Sequence, residues 1–239
     1  MPGTLVGEIL PDLMLMAACY GYVLAMILVS ERLQSLIGAS RGASRKFLHA
    51  MIGNLPLVIP FFRWTLAPFI VAAPFIAVTF LASPASPLTT IRDSLDRLTN
   101  LTEEGHPFGL VFYAVSYSLL ALIFPSKPYV IAAGVLPMAY GDSAAYLVGE
   151  RYGRHRYMLV HEKSLEGSLA MFTASFLSLT ANLVYFSAIY GLQATEQLVL
   201  ALAVSLVVAV VESISPRGLD NLTVPFLGAA TYLYMAGWM

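Results

Sequence analysis

Apolar residues in this chain run in long unbroken stretches, and polar residues gather in the segments between them. Stretches near the length that a bilayer-crossing helix needs, ~20 residues, cover roughly 8 to 29, 47 to 62, 65 to 82, 108 to 124, 128 to 149, 167 to 190, 196 to 212 and 222 to 238. The pattern predicts an all-α polytopic transmembrane bundle of about eight helices. The second stretch is short, carries Pro56 and Pro60, and is separated from the third only by Arg63. Proline inside a span is tolerated where neighbouring helices satisfy the freed backbone groups. No internal repeat and no inverted pair of broken helices, the mark of many transporters, is visible. In the longest polar connection, Ser83 to Pro107, the residues Ile91, Leu95, Leu98 and Leu101 recur at helical spacing opposite Arg92, Asp93, Asp96 and Arg97. That fits a short amphipathic helix on the membrane and a solvated loop helix equally well.

Composition places the chain firmly in the membrane class. Hydrophobic residues are 58% and charged residues 11% of 239 positions, against roughly 45–50% and about 25% in soluble domains. The expectation is a single integral membrane domain over residues 1 to 239. A net charge of -1 gives no basis for expecting a nucleic-acid partner, which would normally need a basic surface. The lone Cys19, in an apolar run, can form neither an intrachain disulfide nor a thiolate metal site by itself and reads as packing. No basic segment precedes the first apolar run, so no cleaved signal peptide is expected.

Charge then orients the bundle. Arg32, Arg41, Arg45, Lys46, Arg92, Arg97, Arg151, Arg154, Arg156, Lys163 and Arg217 fall in alternate connections, and only Arg63 and Lys127 fall in the others. This asymmetry predicts both termini outside and the basic connections in the cytoplasm.

Three cytoplasmic patches carry candidate chemistry. In SRKFLHAMIGN, Arg45, Lys46 and His49 are spaced to point towards one area at a helix start, although a positive-inside anchor alone accounts for them. In Gly141 to Ala170, Asp142 lies about seven residues, or ~10 Å, below the predicted end of its helix. A charge there costs at least ~2.5 kcal/mol, so a polar cleft open to the cytoplasm is expected. Gly149 and Gly153, spaced GxxxG, allow close helix approach. Lys163, Ser164 and Glu166 follow, with Ser164 a predicted N-cap beside a lysine, a ready anion site. The third patch, Val210 to Phe226, holds Glu212 at the membrane boundary and the pair Asp220-Asn221, which alone reads as a helix cap. Together, carboxylates and cations on one membrane face describe a site for a divalent ion and a polyanion, because Mg²⁺ is usually held by carboxylates plus phosphate oxygens. Zinc spacings, P-loops and GxGxxG are absent.

RKFLH at Arg45–His49, GDSAAYLVGERYG at Gly141–Gly153, KSLEGS at Lys163–Ser168 and the run from Glu212 through GLDNLTVP resemble, in order, the signature blocks of the polyprenol kinase family. That family includes dolichol, phytol and farnesol kinases and CTP-dependent diacylglycerol kinases. The resemblance implies a membrane kinase that transfers the γ-phosphoryl group of CTP, with Mg²⁺, to a lipid alcohol such as dolichol, phytol, farnesol or geranylgeraniol. Phosphatidate cytidylyltransferases share the GD and KxxEG elements, but their longer C-terminal signature is missing here. A diacylglycerol kinase and a transporter are the remaining alternatives, and the gathering of charge at one interface rather than at the midplane speaks against the transporter. On the kinase reading, Asp142, Asp220 and Glu212 bind Mg²⁺. Lys163, Arg45 and Lys46 neutralise phosphate, and Asn221 and Ser164 orient it. Asp142, then His49, is the candidate base, with Glu166 a further candidate at the site.

The charge asymmetry generates a test. Single cysteines placed at Arg41, Ser94, Arg154 and Arg217 in a background lacking Cys19 should label only from the cytoplasmic side. Labelling at 154 from outside would invert the topology.

Overall fold

The computed structural model describes residues 5–95, 108–216 and 218–237 and is almost entirely helical. Helix α1 spans Leu5–Ile37. Helix α2, Arg41–Ile52, is opened by Ser40, whose hydroxyl accepts the Ala43 amide at 3.1 Å. The stretch 47 to 62 is not one helix. Prolines at 56 and 60 remove amide donors, so α2 stops at Ile52 and the chain continues as a 3-10 helix, Leu55–Phe61. Pro74 likewise divides the next stretch into α3, Ala67–Ala72, and α4, Pro74–Ala82. Helix α5, Thr89–Ser94, covers the start of the predicted amphipathic helix, and the part from Asp96 onward lies outside the described residues. Then come α6, Gly109–Ile123, and α7, Pro128–Tyr152. A two-stranded antiparallel hairpin, β1 Arg156–Met158 and β2 Glu162–Ser164, interrupts the all-α pattern. Helices α8, Leu165–Tyr190, α9, Ala194–Ile214, and α10, Asp220–Met235, complete the order.

Among the described residues, four helices are long and apolar enough to cross a membrane: Ile9–Leu33 within α1, Pro128–Tyr152, Leu165–Tyr190 and Ala194–Ile214. Ala67–Ala82 and Gly109–Ile123 are shorter apolar helices. Helix α10, with 16 residues, spans only ~24 Å at 1.5 Å per residue.

The bundle is organised around α7. Its residues from Pro128 to Leu136 are all buried, and it packs against α6, α8, α10 and the 3-10 helix. The crossing with α10 is made by glycines. A Cβ on Gly228 would sit 2.6 Å from the Ala133 carbonyl oxygen and 3.4 Å from the Gly134 Cα, and one on Gly134 would strike the Pro225 carbonyl. Small residues at a helix crossing let backbones approach where lipid supplies no hydrophobic drive. Three interior hydroxyls are satisfied locally: Ser118, Ser187 and Ser205 each donate to the carbonyl four residues back, at 2.7 Å. Towards the opposite end, buried Asp12 accepts the amides of Arg63 and Trp64 at 3.0 and 2.7 Å, tying α1 to the turn before α3. Cys19 is buried and unpaired, as packing requires.

Because the atoms opposing Gly228 and Gly134 are mainly backbone, they cannot rotate away. Gly228→Ala should lower stability in detergent by about 1–3 kcal/mol through overpacking, whereas Gly21→Ala, with nothing within 4 Å of its added carbon, should change the thermal unfolding midpoint little. Equal midpoints for the two variants would contradict the close crossing.

Candidate active site

The site begins with a proline in the middle of α7. Pro137 has no amide hydrogen to continue the α pattern, and the chain widens there into a π turn, Pro137–Gly141, in which the Asp142 amide bonds to the Pro137 carbonyl five residues back. Such turns re-aim the residues that follow. Asp142 and Ser143 thereby meet α2: the Lys46 ammonium donates to Asp142 Oδ2 at 2.5 Å, and the Ser143 hydroxyl lies 2.9 Å from the Lys46 carbonyl. His49 stands behind this pair, with Nε2 3.6 Å from the same carboxylate oxygen and 2.9 Å from the Met138 carbonyl. A carbonyl can only accept, so Nε2 carries the hydrogen, and the Tyr113 ring packs edge-on against the imidazole.

A second buried pair faces the first. Lys163, on β2, donates to the Glu212 carboxylate and, at 2.5 Å, to the Glu212 carbonyl. Side-chain exposures of 9% and 13% for the Lys46 pair, and 12% and 7% for the Lys163 pair, leave little water to screen any of these charges. The other Glu212 oxygen, Oε2, is buried and has no hydrogen-bond partner. Both pairs line one cavity of about 430 Å³, together with Ser164, Asp220, Asn221 and Tyr146.

Of the residues singled out in the sequence, Lys46, Asp142, Lys163, Ser164, Glu212, Asp220 and Asn221 therefore share one cavity. Ser164 caps α8, accepting the Gly167 amide at 3.1 Å. Asn221 does not cap a helix: its side chain donates to the Gly109 carbonyl at 2.9 Å, and its own carbonyl accepts the Ser116 hydroxyl at 2.6 Å, so it ties α10 to α6. His49 and Arg45 lie outside the lining, Arg45 with its guanidinium 5.6 Å from the centroid of the Tyr146 ring. Glu166 is also outside it. Its carboxylate accepts the Arg154 and His155 amides at 3.2 and 3.3 Å and meets His155 Nδ1 at 2.7 Å, so it braces the loop before the hairpin. Among the described residues, no three His, Cys, Asp or Glu side chains stand together as a ready-made metal cage.

Helix α7 runs to Tyr152, three residues beyond the predicted end, which places Asp142 ~15 Å from that terminus. Gly149 and Gly153 do serve close approach: a Cβ on Gly167 would lie 3.4 Å from the Gly149 Cα, and one on Gly153 2.8 Å from Ser164 Oγ. Sequence reasoning passed over Tyr146, Arg156 and Glu162, which also line the cavity. Tyr146 follows Asp142 by one helical turn, a spacing that marks it as a neighbour on the same face. Arg156 and Glu162 come together only through the hairpin, where they pair at 3.3 Å.

An apolar helical bundle thus encloses two lysine–carboxylate pairs and a buried carboxylate oxygen without a partner around one polar cavity. The phytol kinase of Synechocystis sp. is 37% identical over 222 residues, 91% of this chain and 89% of that protein. Phytol kinase 1 of Arabidopsis thaliana is 27% identical over 91% of this chain and 74% of its own length. The farnesol kinase of the same plant is 30% identical over 51% of this chain and 40% of its own length. No family model and no solved structure matches. The chain belongs to the polyprenol kinase family, whose members are phosphotransferases acting on an alcohol.

Breaking one partner of a buried ion pair strands the other. Lys46→Met should destabilise the protein by about 3–5 kcal/mol, and adding Asp142→Leu should restore much of that loss. Thermal unfolding of both variants in detergent checks it, and simple additivity of the two losses would show that the pair is not coupled.

Proposed function

We propose that this chain is a multi-pass membrane kinase that phosphorylates an isoprenoid alcohol of the phytol or farnesol class, using CTP as donor and Mg²⁺, with its cavity open to the cytoplasm. The observation that carries the reading is the cavity itself: two buried lysines held ready by carboxylates at one end of an apolar bundle. Membership of the phytol and farnesol kinase family supplies the acceptor class, and the order of the four sequence blocks supports the donor. The basic connections support the cytoplasmic orientation. The whole of residues 1 to 239 forms the kinase domain.

The donor set fits a hard cation. Glu212 offers an unpartnered buried oxygen, and Asp220 lines the same cavity, so these two would hold Mg²⁺ with phosphate oxygens completing its shell, as that ion prefers. When bound, Mg²⁺ supplies charge neutralisation on the transferring phosphoryl group. Lys46 and Lys163 neutralise the remaining phosphate oxygens by exchanging their carboxylate partners for the ligand. Ser164, at the start of α8, orients the phosphates through its hydroxyl. Asp142 accepts the proton of the alcohol as its oxygen bonds to the γ-phosphorus and CDP departs. His49, with its Nε2 hydrogen committed to the Met138 carbonyl, positions Asp142 from behind.

γ-Labelled CTP should pass its label to an organic-soluble lipid and leave CDP, with farnesol, geranylgeraniol, phytol, dolichol and diacylglycerol tested in parallel. Label from the α position in lipid, with release of pyrophosphate, would instead mean CMP transfer. Asp142→Asn should cut kcat by about 10²–10⁴-fold as loss of a general base does, read on the fraction that remains folded, since the change also strands Lys46. Lys163→Ala should abolish transfer, and Lys163→Arg should recover little, since a planar guanidinium presents its donors differently. Near wild-type turnover in Asp142→Asn would remove that residue from the chemistry.

A further inference from the structure

At the end of β1 and in the turn that follows, the chain exposes three consecutive apolar side chains, Met158, Leu159 and Val160, at 73%, 61% and 54% of their full surface. Tyr157 and His161 flank them, the exposed Arg156 and Glu162 stand one residue further out, and Arg151 and Arg154, also exposed, precede the hairpin. The strands behind the tip are pinned. The Tyr157 hydroxyl lies 2.5 Å from Ser168 Oγ on α8 and 3.0 Å from Ser213 Oγ on α9. Its cross-strand partner, Lys163, reaches Glu212 on α9. Ser168 is in the first turn of α8 and Ser213 in the last turn of α9, so the hairpin lies back along the helix ends instead of projecting away from them. The exposed apolar surface resumes on α8 at Leu165 and Leu169, at 59% and 64%. Tyr152, 57% exposed with the Arg151 guanidinium 5.4 Å from its ring centroid, closes α7 four residues before β1. Aromatic and basic side chains of this kind sit at the headgroup level of membrane proteins.

We propose that the hairpin tip is an interfacial membrane anchor. Met158, Leu159 and Val160 insert at the boundary between headgroups and acyl chains, continuous with the lipid-facing side of α8. Arg151 and Arg154 meet anionic headgroups above them. The proposal rests on α8 and α9 crossing the bilayer and not on any choice of nucleotide. The hairpin then serves two ends, because the strand that carries Lys163 to the cavity is also held at the surface from which a lipid alcohol would arrive.

A single cysteine introduced by Leu159→Cys in a Cys19→Ser background, carrying a nitrobenzoxadiazole label, reports the tip's surroundings in nanodiscs. Blue-shifted emission, quenched by lipids brominated in the upper acyl chain, is the expected result. Water-like emission without quenching would overturn the anchor. The measurement needs no turnover, so failure of the kinase reading leaves it intact. In an active preparation, Leu159→Asp should raise KM for the alcohol about tenfold, the effect of losing one buried apolar side chain, with KM for the nucleotide unchanged. An unchanged alcohol KM would refute a tip seated at the lipid's point of arrival.

Discussion

A charge cannot be left alone inside an apolar bundle, and the site is arranged around that constraint. Lys46 and Asp142 lie on different helices, as do Lys163 on the hairpin and Glu212 on α9. Each ion is tolerable only because its partner is in place. The pairs therefore act as cross-links between α2 and α7 and between β2 and α9, and they define the cavity walls. The glycine contacts of α7 with α8 and α10 serve the same end, since they bring the backbones close enough for these side chains to meet.

The location of the helices was legible because lipid imposes a single rule, long apolar runs, on every span. The same rule hides breaks within a run. Residues 47 to 62 look continuous in hydropathy, yet Pro56 and Pro60 turn them into the end of α2 and a 3-10 helix. Pro137 was equally plain in the sequence, but its effect, a π turn that re-aims Asp142, depends on α2, α8 and α10 packing around it. Local sequence supplies the break, and tertiary contacts decide what the break becomes.

Charged residues followed a similar division. Membership of the cavity was readable for Lys46, Asp142, Lys163, Glu212 and Asp220, because a carboxylate or lysine beside an apolar helix has few other places to go. Their pairing was not, since Lys46 to Asp142 spans 96 residues and Lys163 to Glu212 spans 49. Glu166 shows the opposite failure. Its place within KSLEGS made it a candidate for the site, whereas its carboxylate spends its oxygens on the Arg154 and His155 amides.

The pairing also constrains how a polyanion can enter. A lysine that already holds a carboxylate loses one favourable contact for each phosphate contact it gains, so a phosphate taken up without a cation would strand Asp142 and Glu212 as bare buried charges. On the proposed reading, a divalent ion arriving with the phosphates would offset part of that penalty by giving Glu212 a new partner. Glu212 Oε2, buried without a partner while its sister oxygen holds Lys163, would be the atom to receive such a cation. On the proposed reading, the burial of the two pairs would make the site favour a metal–nucleotide complex over the free nucleotide.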